Sequence, residues 1–384
     1  MRIKNAEAKI YNSLNNGKRV LPDFILVAVT IVLVVLGCVF VYSASMYSAA
    51  LYYKSSTYFL RKQIIGAVLG GLALVFFYFF PYRKLEKYRI VFCVVSIFLL
   101  LLVFVPGLGV ESYGAKRWIN LGITTFQPSE LAKISFIIFA SSVLSKNKYR
   151  SNTLVGIIPV ILVGALFCAL IIIEPNMSIT VCMGLLLVVM LFIGGASIKH
   201  ILLMLVPALV LLPVLIVIEP YRLRRLVAFI NPWASPQGEG FQLVESLYSV
   251  ASGSWLGVGL FASRQKYLFL PFAESDFIFS IIVEETGFFG AILMCLLFLL
   301  FFIRAIKIAK KAPDRFGCYL ASGIACLILI EMLLNVAVVT SLVPPTGLPL
   351  PFLSAGSTAL VANMSMVGML LCIDKESKKS RLIG

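Results

Sequence analysis

Ten long apolar runs separated by short polar breaks restrict the fold of this chain more than any other feature. They lie at about 24–44, 62–80, 90–106, 128–145, 154–173, 177–196, 201–219, 277–303, 316–343 and 355–372. Several have the ~17–25 residues that an α-helix needs to cross a bilayer. Hydrocarbon offers no water to backbone N–H and C=O groups, so each run must satisfy its own by forming a helix. The pattern predicts an all-α polytopic membrane domain over 24–372, with polar tails at 1–23 and 373–384. Glu174-Pro175-Asn176 divides one long apolar stretch, and Pro175 ends or kinks a helix, so a hairpin is expected there. The segment 220–276 between spans seven and eight is far longer than an ordinary connection and is expected to be a functional, partly re-entrant outer loop.

Charged residues make up 13% of the 384, against about 25% in a soluble domain. The net charge of +16 would suit a nucleic-acid partner, but its distribution argues otherwise. With residue 1 in the cytoplasm, inner segments hold 22 Lys/Arg and outer segments ten. That is the positive-inside bias; it puts both termini in the cytoplasm and leaves no call for nucleic acid. The eight cysteines lie in or beside apolar runs with no CxxC pair, as small buried hydrophobes do. His200 is the single histidine, which disfavours histidine acid–base catalysis and a multi-histidine metal site. Residues 1–23 are polar and basic and the first run is long enough to span, so no cleavable leader is read there. Neither an internal repeat nor a nucleotide-binding motif stands out, which speaks against an inverted-repeat transporter or ATP-driven chemistry.

Polar residues that survive inside such a chain are functional candidates by default. Asp276, Ser280 and Glu284 follow at four-residue intervals where span eight begins, on one face of a helix. A partly desolvated carboxylate at the mouth of a cavity suits a general base. The competing reading is a helix cap by Ser275 or Asp276, with Glu284 paired to a buried base. Glu130 and Lys133, at i,i+3 in span four, are either site residues or a self-satisfied ion pair. Lys116 and Arg117, beside Trp118 in the outer loop before span four, run against the topology bias and suggest anion binding. Arg222, Arg224 and Arg225 beyond span seven either snorkel to headgroups or recognise a phosphate-bearing lipid. Glu331 and Asn335 face the bundle in span nine. The proline-rich run 344–352, with Thr346, cannot be a regular helix and must be shielded by protein or lie outside.

Together these residues resemble the SEDS family of bacterial envelope proteins (shape, elongation, division, sporulation), whose members include FtsW, RodA and SpoVE. The likeness runs from about 23 to 372. It includes Val41-Tyr-Ser-Ala-Ser45, Ala115-Lys-Arg-Trp-Ile119, Phe126-Gln-Pro-Ser-Glu-Leu-Ala-Lys133, Ile230-Asn-Pro-Trp233 and Gly240-Phe-Gln242. Ser263-Arg-Gln-Lys266, Ser275-Asp-Phe-Ile-Phe279 and Pro344–Phe352 complete it. Ser263–Lys266 is similar to the division and sporulation branch, the FtsW/SpoVE type.

The resemblance implies a SEDS-type (GT-C-like) bundle in the bacterial cytoplasmic membrane. It implies a peptidoglycan glycosyltransferase that polymerises lipid II at the outer face during cell division or sporulation. It also implies a class B penicillin-binding protein partner, with other divisome or sporulation proteins. The family's essential Asp falls on Asp276, which would deprotonate the attacking sugar hydroxyl. Lys116, Arg117, Trp118, Glu130, Lys133, Arg222, Arg224, Ser275 and Glu284 are then expected to bind substrate. A divalent cation, Mg or Mn, is compatible with the chemistry, its ligands unknown. The chain departs from the family at Asn176, where an acid is usual, and at Phe261, Phe272 and Ala355. These departures keep open the reading of a scaffold that recruits the synthase, and intramembrane Glu130, Lys133 and Glu331, as the lining of an alternating-access path, keep open that of a lipid II flippase.

Overall fold

The computed structural model describes residues 21–112, 115–120, 122, 125–146, 153–218, 220–345 and 347–383, less some side chains, Arg222 among them. Gly114, Thr346, the Arg222 side chain and most of the N-terminal tail therefore lie outside the described residues.

Every expected span falls on a helix. The first is α1 (Phe24–Tyr53), followed by α2 (Tyr58–Phe79), a short connector α3 (Tyr82–Lys87), and α4 (Arg89–Leu102). The bundle continues with α5 (Pro128–Lys146), α6 (Leu154–Ile173), α7 (Met177–Ile193) and α8 (Ile198–Ile218). The outer segment carries α9 (Pro220–Ile230) and α10 (Phe241–Ser252). Three long helices close the chain: α11 (Ile278–Lys311), α12 (Arg315–Val339) and α13 (Ser357–Ile383). Six of these, α1, α2, α6, α11, α12 and α13, are long and apolar enough to cross a membrane. Helices α4 and α7 are shorter, prolines interrupt α8, and α5 carries Glu130 and Lys133.

The long helices are apolar nearly all round. In α1, Leu26, Leu33, Phe40 and Val41 are buried against other helices, while Phe24, Ile31 and Val35 stay exposed. A helix with no polar face is one whose surroundings are also apolar, and the outward residues meet hydrocarbon rather than water. The expected hairpin at Glu174–Asn176 is present: Asn176 caps α7 by accepting the Ile179 N–H at 3.3 Å.

Three features differ from expectation. The loop before α5 folds into an antiparallel sheet of β1 (Gly109–Ser112), β2 (Ala115–Asn120) and β3 (Thr125–Phe126), in the order β1-β2-β3. Short strands at a loop of mixed polarity give no period that apolar-run analysis detects. The tail expected at 373–384 instead continues α13 as helix to Ile383, with Ile373, Asp374 and Ser377 buried. Finally, α11 is broken at Gly287, whose φ of 69° is open to glycine and strained for other residues. The backbone groups released by the break find partners in the preceding loop. Val258 N–H donates to Glu284 O at 2.9 Å, Gly259 N–H to Glu285 O at 3.1 Å, and Phe288 N–H to Ser254 O at 2.9 Å. Irregular backbone of this kind survives at the membrane because protein groups re-satisfy it.

Candidate active site

Asp276 lies in the last turn of the outer segment, two residues ahead of α11. It is not the helix cap: that position belongs to Phe277, and no side chain caps α11. The capping reading is thereby corrected, and the carboxylate is left for other work. Asp276 is half-buried. Burial pushes its carboxyl up to about 6, against the opposing pull of the Arg225 and Arg117 guanidiniums and with some help from Glu274. Across from it lies Gly347, where a Cβ atom would sit 3.0 Å from Asp276 Oδ2. A glycine there lets the proline-rich segment approach the carboxylate closely.

Arg117 reaches the site from β2. Its guanidinium donates to Pro175 O and, at 3.4 Å, to Glu174 O, so the α6–α7 hairpin fixes its direction. Glu174 itself is buried, and neither carboxylate oxygen has a hydrogen-bond partner among the described residues. Burial pushes its carboxyl up to about 8 despite the nearby Arg117 charge. Arg225 donates to Pro345 O at 3.2 Å, bringing the second guanidinium to the proline-rich segment. Lys116 and Trp118 are half-buried on the same strand as Arg117. Ser275 is engaged with the main chain and Ser354: its hydroxyl donates to Phe272 O at 3.5 Å, and its carbonyl accepts from Ser354 Oγ at 2.6 Å.

Other expected site residues are placed elsewhere. Lys133 bridges Glu130, at 2.8 Å, and Glu331 of α12 in a fully buried triad. Glu284 accepts from Ser263 Oγ at 2.6 Å, Ser249 Oγ at 3.1 Å and the Arg264 N–H at 2.9 Å. Its neighbour Glu285 pairs with Lys266 at 3.4 Å and accepts from Ser43 Oγ at 2.5 Å. Protein donors thus occupy both Glu284 oxygens, which pin the Ser263–Lys266 loop to α11. Arg224 forms an exposed ion pair with Glu239 at 3.3 Å. None of Glu130, Lys133, Glu284 and Arg224 touches Asp276. Among the described residues no three His, Cys, Asp or Glu side chains converge on a metal position.

Glu274 acts on the Asp276 carboxyl although sequence spacing did not single it out, and Arg225, read from the sequence in one basic cluster with Arg222 and Arg224, is the described member of that cluster whose charge reaches Asp276. On α9 it lies one residue from Arg224, roughly 100° around the helix, so one turns outward while the other turns to the proline-rich segment.

The chain has close likenesses. Residues 23–379 match the family model for the FtsW/RodA/SpoVE cell cycle proteins. It is 38% identical to stage V sporulation protein E of Bacillus subtilis (strain 168), covering 94% of this chain and 99% of that one. It is 38% identical to a probable peptidoglycan glycosyltransferase FtsW of Geobacter sp. (strain M18), covering 91% and 95%. Among solved structures it is similar to a chain of a peptidoglycan synthase complex that coordinates polymerization and crosslinking, with a TM-score of 0.75 and 26% identity over 94% of this chain and 99% of that one. Thermus thermophilus RodA superposes with a TM-score of 0.69 and 25% identity, over 93% and 98%. The resemblance read from the motifs thus holds over the whole bundle, and the chain is a multi-pass membrane protein that belongs to the FtsW/RodA/SpoVE family.

Proposed function

We propose that the protein is a peptidoglycan glycosyltransferase that polymerises lipid II at the outer membrane face, with Asp276 as general base. The observation that carries this reading is the placement of Asp276: a half-buried carboxylate, uncommitted to helix capping, within the field of Arg117 and Arg225. The sugar hydroxyl of the incoming lipid II attacks the anomeric carbon of the growing strand. Asp276 takes the hydroxyl proton as the new C–O bond forms. The old anomeric C–O bond breaks, and its electron pair leaves with the undecaprenyl diphosphate. Two guanidiniums beside the reacting carboxylate suit that developing diphosphate charge, because their planar donor forks match phosphate oxygens. Desolvation that raises the Asp276 pKa towards neutrality strengthens it as a proton acceptor.

The names of the relatives support the reaction class, and the likeness to a synthase-complex chain supports a class B penicillin-binding protein as partner. A role in division or in sporulation follows the two named relatives equally. The buried Glu130–Lys133–Glu331 triad has the closed geometry of a packing element, which favours polymerase over flippase.

The test is incubation of purified chain, with and without its class B partner, with labelled lipid II and a divalent cation, beside Asp276→Asn. Glycan ladders from wild type alone are expected. Ladders of equal yield from Asp276→Asn would remove the base, and no ladder with a verified partner would remove the polymerase.

A further inference from the structure

Three consecutive backbone carbonyls run up to Asp276, and each is taken by a donor from a distant part of the chain. The Ala355 N–H donates to Glu274 O at 2.8 Å. Ser354 Oγ donates to Ser275 O at 2.6 Å. Asn335 Nδ2 donates to Asp276 O at 2.9 Å. The same Asn335 amide donates to Leu348 O at 2.8 Å, so one side chain ties the Asp276 loop to the proline-rich segment facing it. Asn335 is 1% exposed on α12.

We infer that Asn335 is a positioning residue for the Asp276 carboxylate, acting as a two-pronged clamp between the Asp276 and Leu348 carbonyls. The inference rests on the reading of Asp276 as the general base. The segment ahead of α11 is a local turn, with the Ser275 and Phe277 N–H groups donating to Phe272 O at 3.1 and 3.3 Å and Phe272 at a φ of 58°, and no side chain caps α11. Those bonds shape the turn, and the donors from outside fix where it sits against α12 and the proline-rich segment. All three bonds grip the main chain, and none uses the carboxylate, which stays available to substrate. The Asp276 carbonyl is one bond from its Cα, so a shift there carries directly to the side chain. A carboxamide supplies two N–H donors on one short stem; Asp supplies none when ionised, and Ala none at all. The anchor of the clamp is itself fixed, because Glu331, one turn earlier on α12, is locked to Lys133 of α5. Catalytic geometry is sensitive to this level of support, since a displacement of about 1 Å costs on the order of 100-fold in rate.

The experiment compares wild type, Asn335→Ala and the isosteric Asn335→Asp in complex with the class B partner. Steady-state lipid II polymerisation and peptide-level hydrogen exchange are both read. Both variants are expected to lose at least about tenfold in kcat, with KM for lipid II within about threefold. Exchange is expected to rise at least fivefold in peptides covering 270–280 and 344–356 and to stay unchanged over 154–193. An unchanged kcat, or a raised KM at constant kcat, overturns the positioning role. A general rise in exchange makes Asn335 a folding residue and equally overturns it. Exchange does not depend on turnover. A wild type that makes no polymer sinks the proposed function, while unaltered exchange in both segments sinks the clamp.

Discussion

At the residue scale, the raised pKa of Asp276 has two consequences of opposite kind. The folded protein holds the carboxyl near 6, above the ~3.9 of an unfolded chain. A carboxyl raised on folding favours the folded state only when protonated. Stability therefore falls as pH rises from about 4 through about 6, and the full cost is present above that range. Asp276→Asn removes this cost along with the base. We expect the variant to be inactive yet more stable than wild type at pH 7.5, by up to about 3 kcal/mol, with the gain vanishing near pH 4. Thermal unfolding in detergent at the two pH values checks this; an equal or lower midpoint at pH 7.5 would contradict it. The second consequence is kinetic. The base works ionised, so the acid limb of the rate profile should fall away near pH 6. Arg225 opposes the rise in the Asp276 pKa, so Arg225→Ala should move that limb to higher pH. A pH–rate profile with an unmoved limb would place Arg225 outside the field of the base.

At the element scale, α12 joins two layers of the molecule. Glu331 meets Lys133 of α5 deep in the bundle, and Asn335 meets the Asp276 loop one turn later. The triad buries one ammonium between two carboxylates, so removal of Lys133 leaves two acids facing each other without a cation. Breaking a buried pair in this way costs about 3–5 kcal/mol. Lys133→Ala is therefore expected to lower the thermal midpoint strongly, and activity should fall in step with the folded fraction. A variant with wild-type stability and no polymerisation would instead restore Lys133 to the substrate-binding set. The pair itself was legible from its i,i+3 spacing. Its third member, 198 residues further along the chain, was not, because no local pattern records which helix faces which.

At the scale of the whole molecule, the site and the described chain ends occupy opposite faces. Asp276 precedes α11, whose other end meets the termini: Ser377 Oγ donates to Lys311 O, Arg304 pairs with Asp23, and Lys378 donates to Leu21 O at 2.9 Å. At 1.5 Å per residue, the part of α11 beyond the Gly287 break, residues 288–311, spans about 36 Å, enough to cross the hydrocarbon core. On positive-inside counting, the Asp276 face is expected outside and both termini in the cytoplasm. A cysteine at Gln237 should react with a membrane-impermeant maleimide in intact cells, and one at Lys379 only after permeabilisation. The reverse pattern would invert the protein and remove Asp276 from the outer face.

What the sequence by itself determined is the set of helices, their order and the family. Each apolar run carries enough hydrocarbon surface to be helical in a bilayer wherever it lands, so local composition suffices. The ordered motifs around Asp276 likewise singled it out as the candidate base without coordinates. Only the tertiary structure decided which of the polar residues are paired within the protein. Arg224 of the outer segment and Glu284 of α11 are near Asp276 in sequence but are paired with Glu239 and Ser263. Arg117 is turned towards the site by carbonyls 57 and 58 residues away, and Asn335 reaches Asp276 across 59. The physical reason is that burying a polar group commits it to whichever partner lies within about 3 Å, and that distance is a property of helix packing rather than of neighbours along the chain.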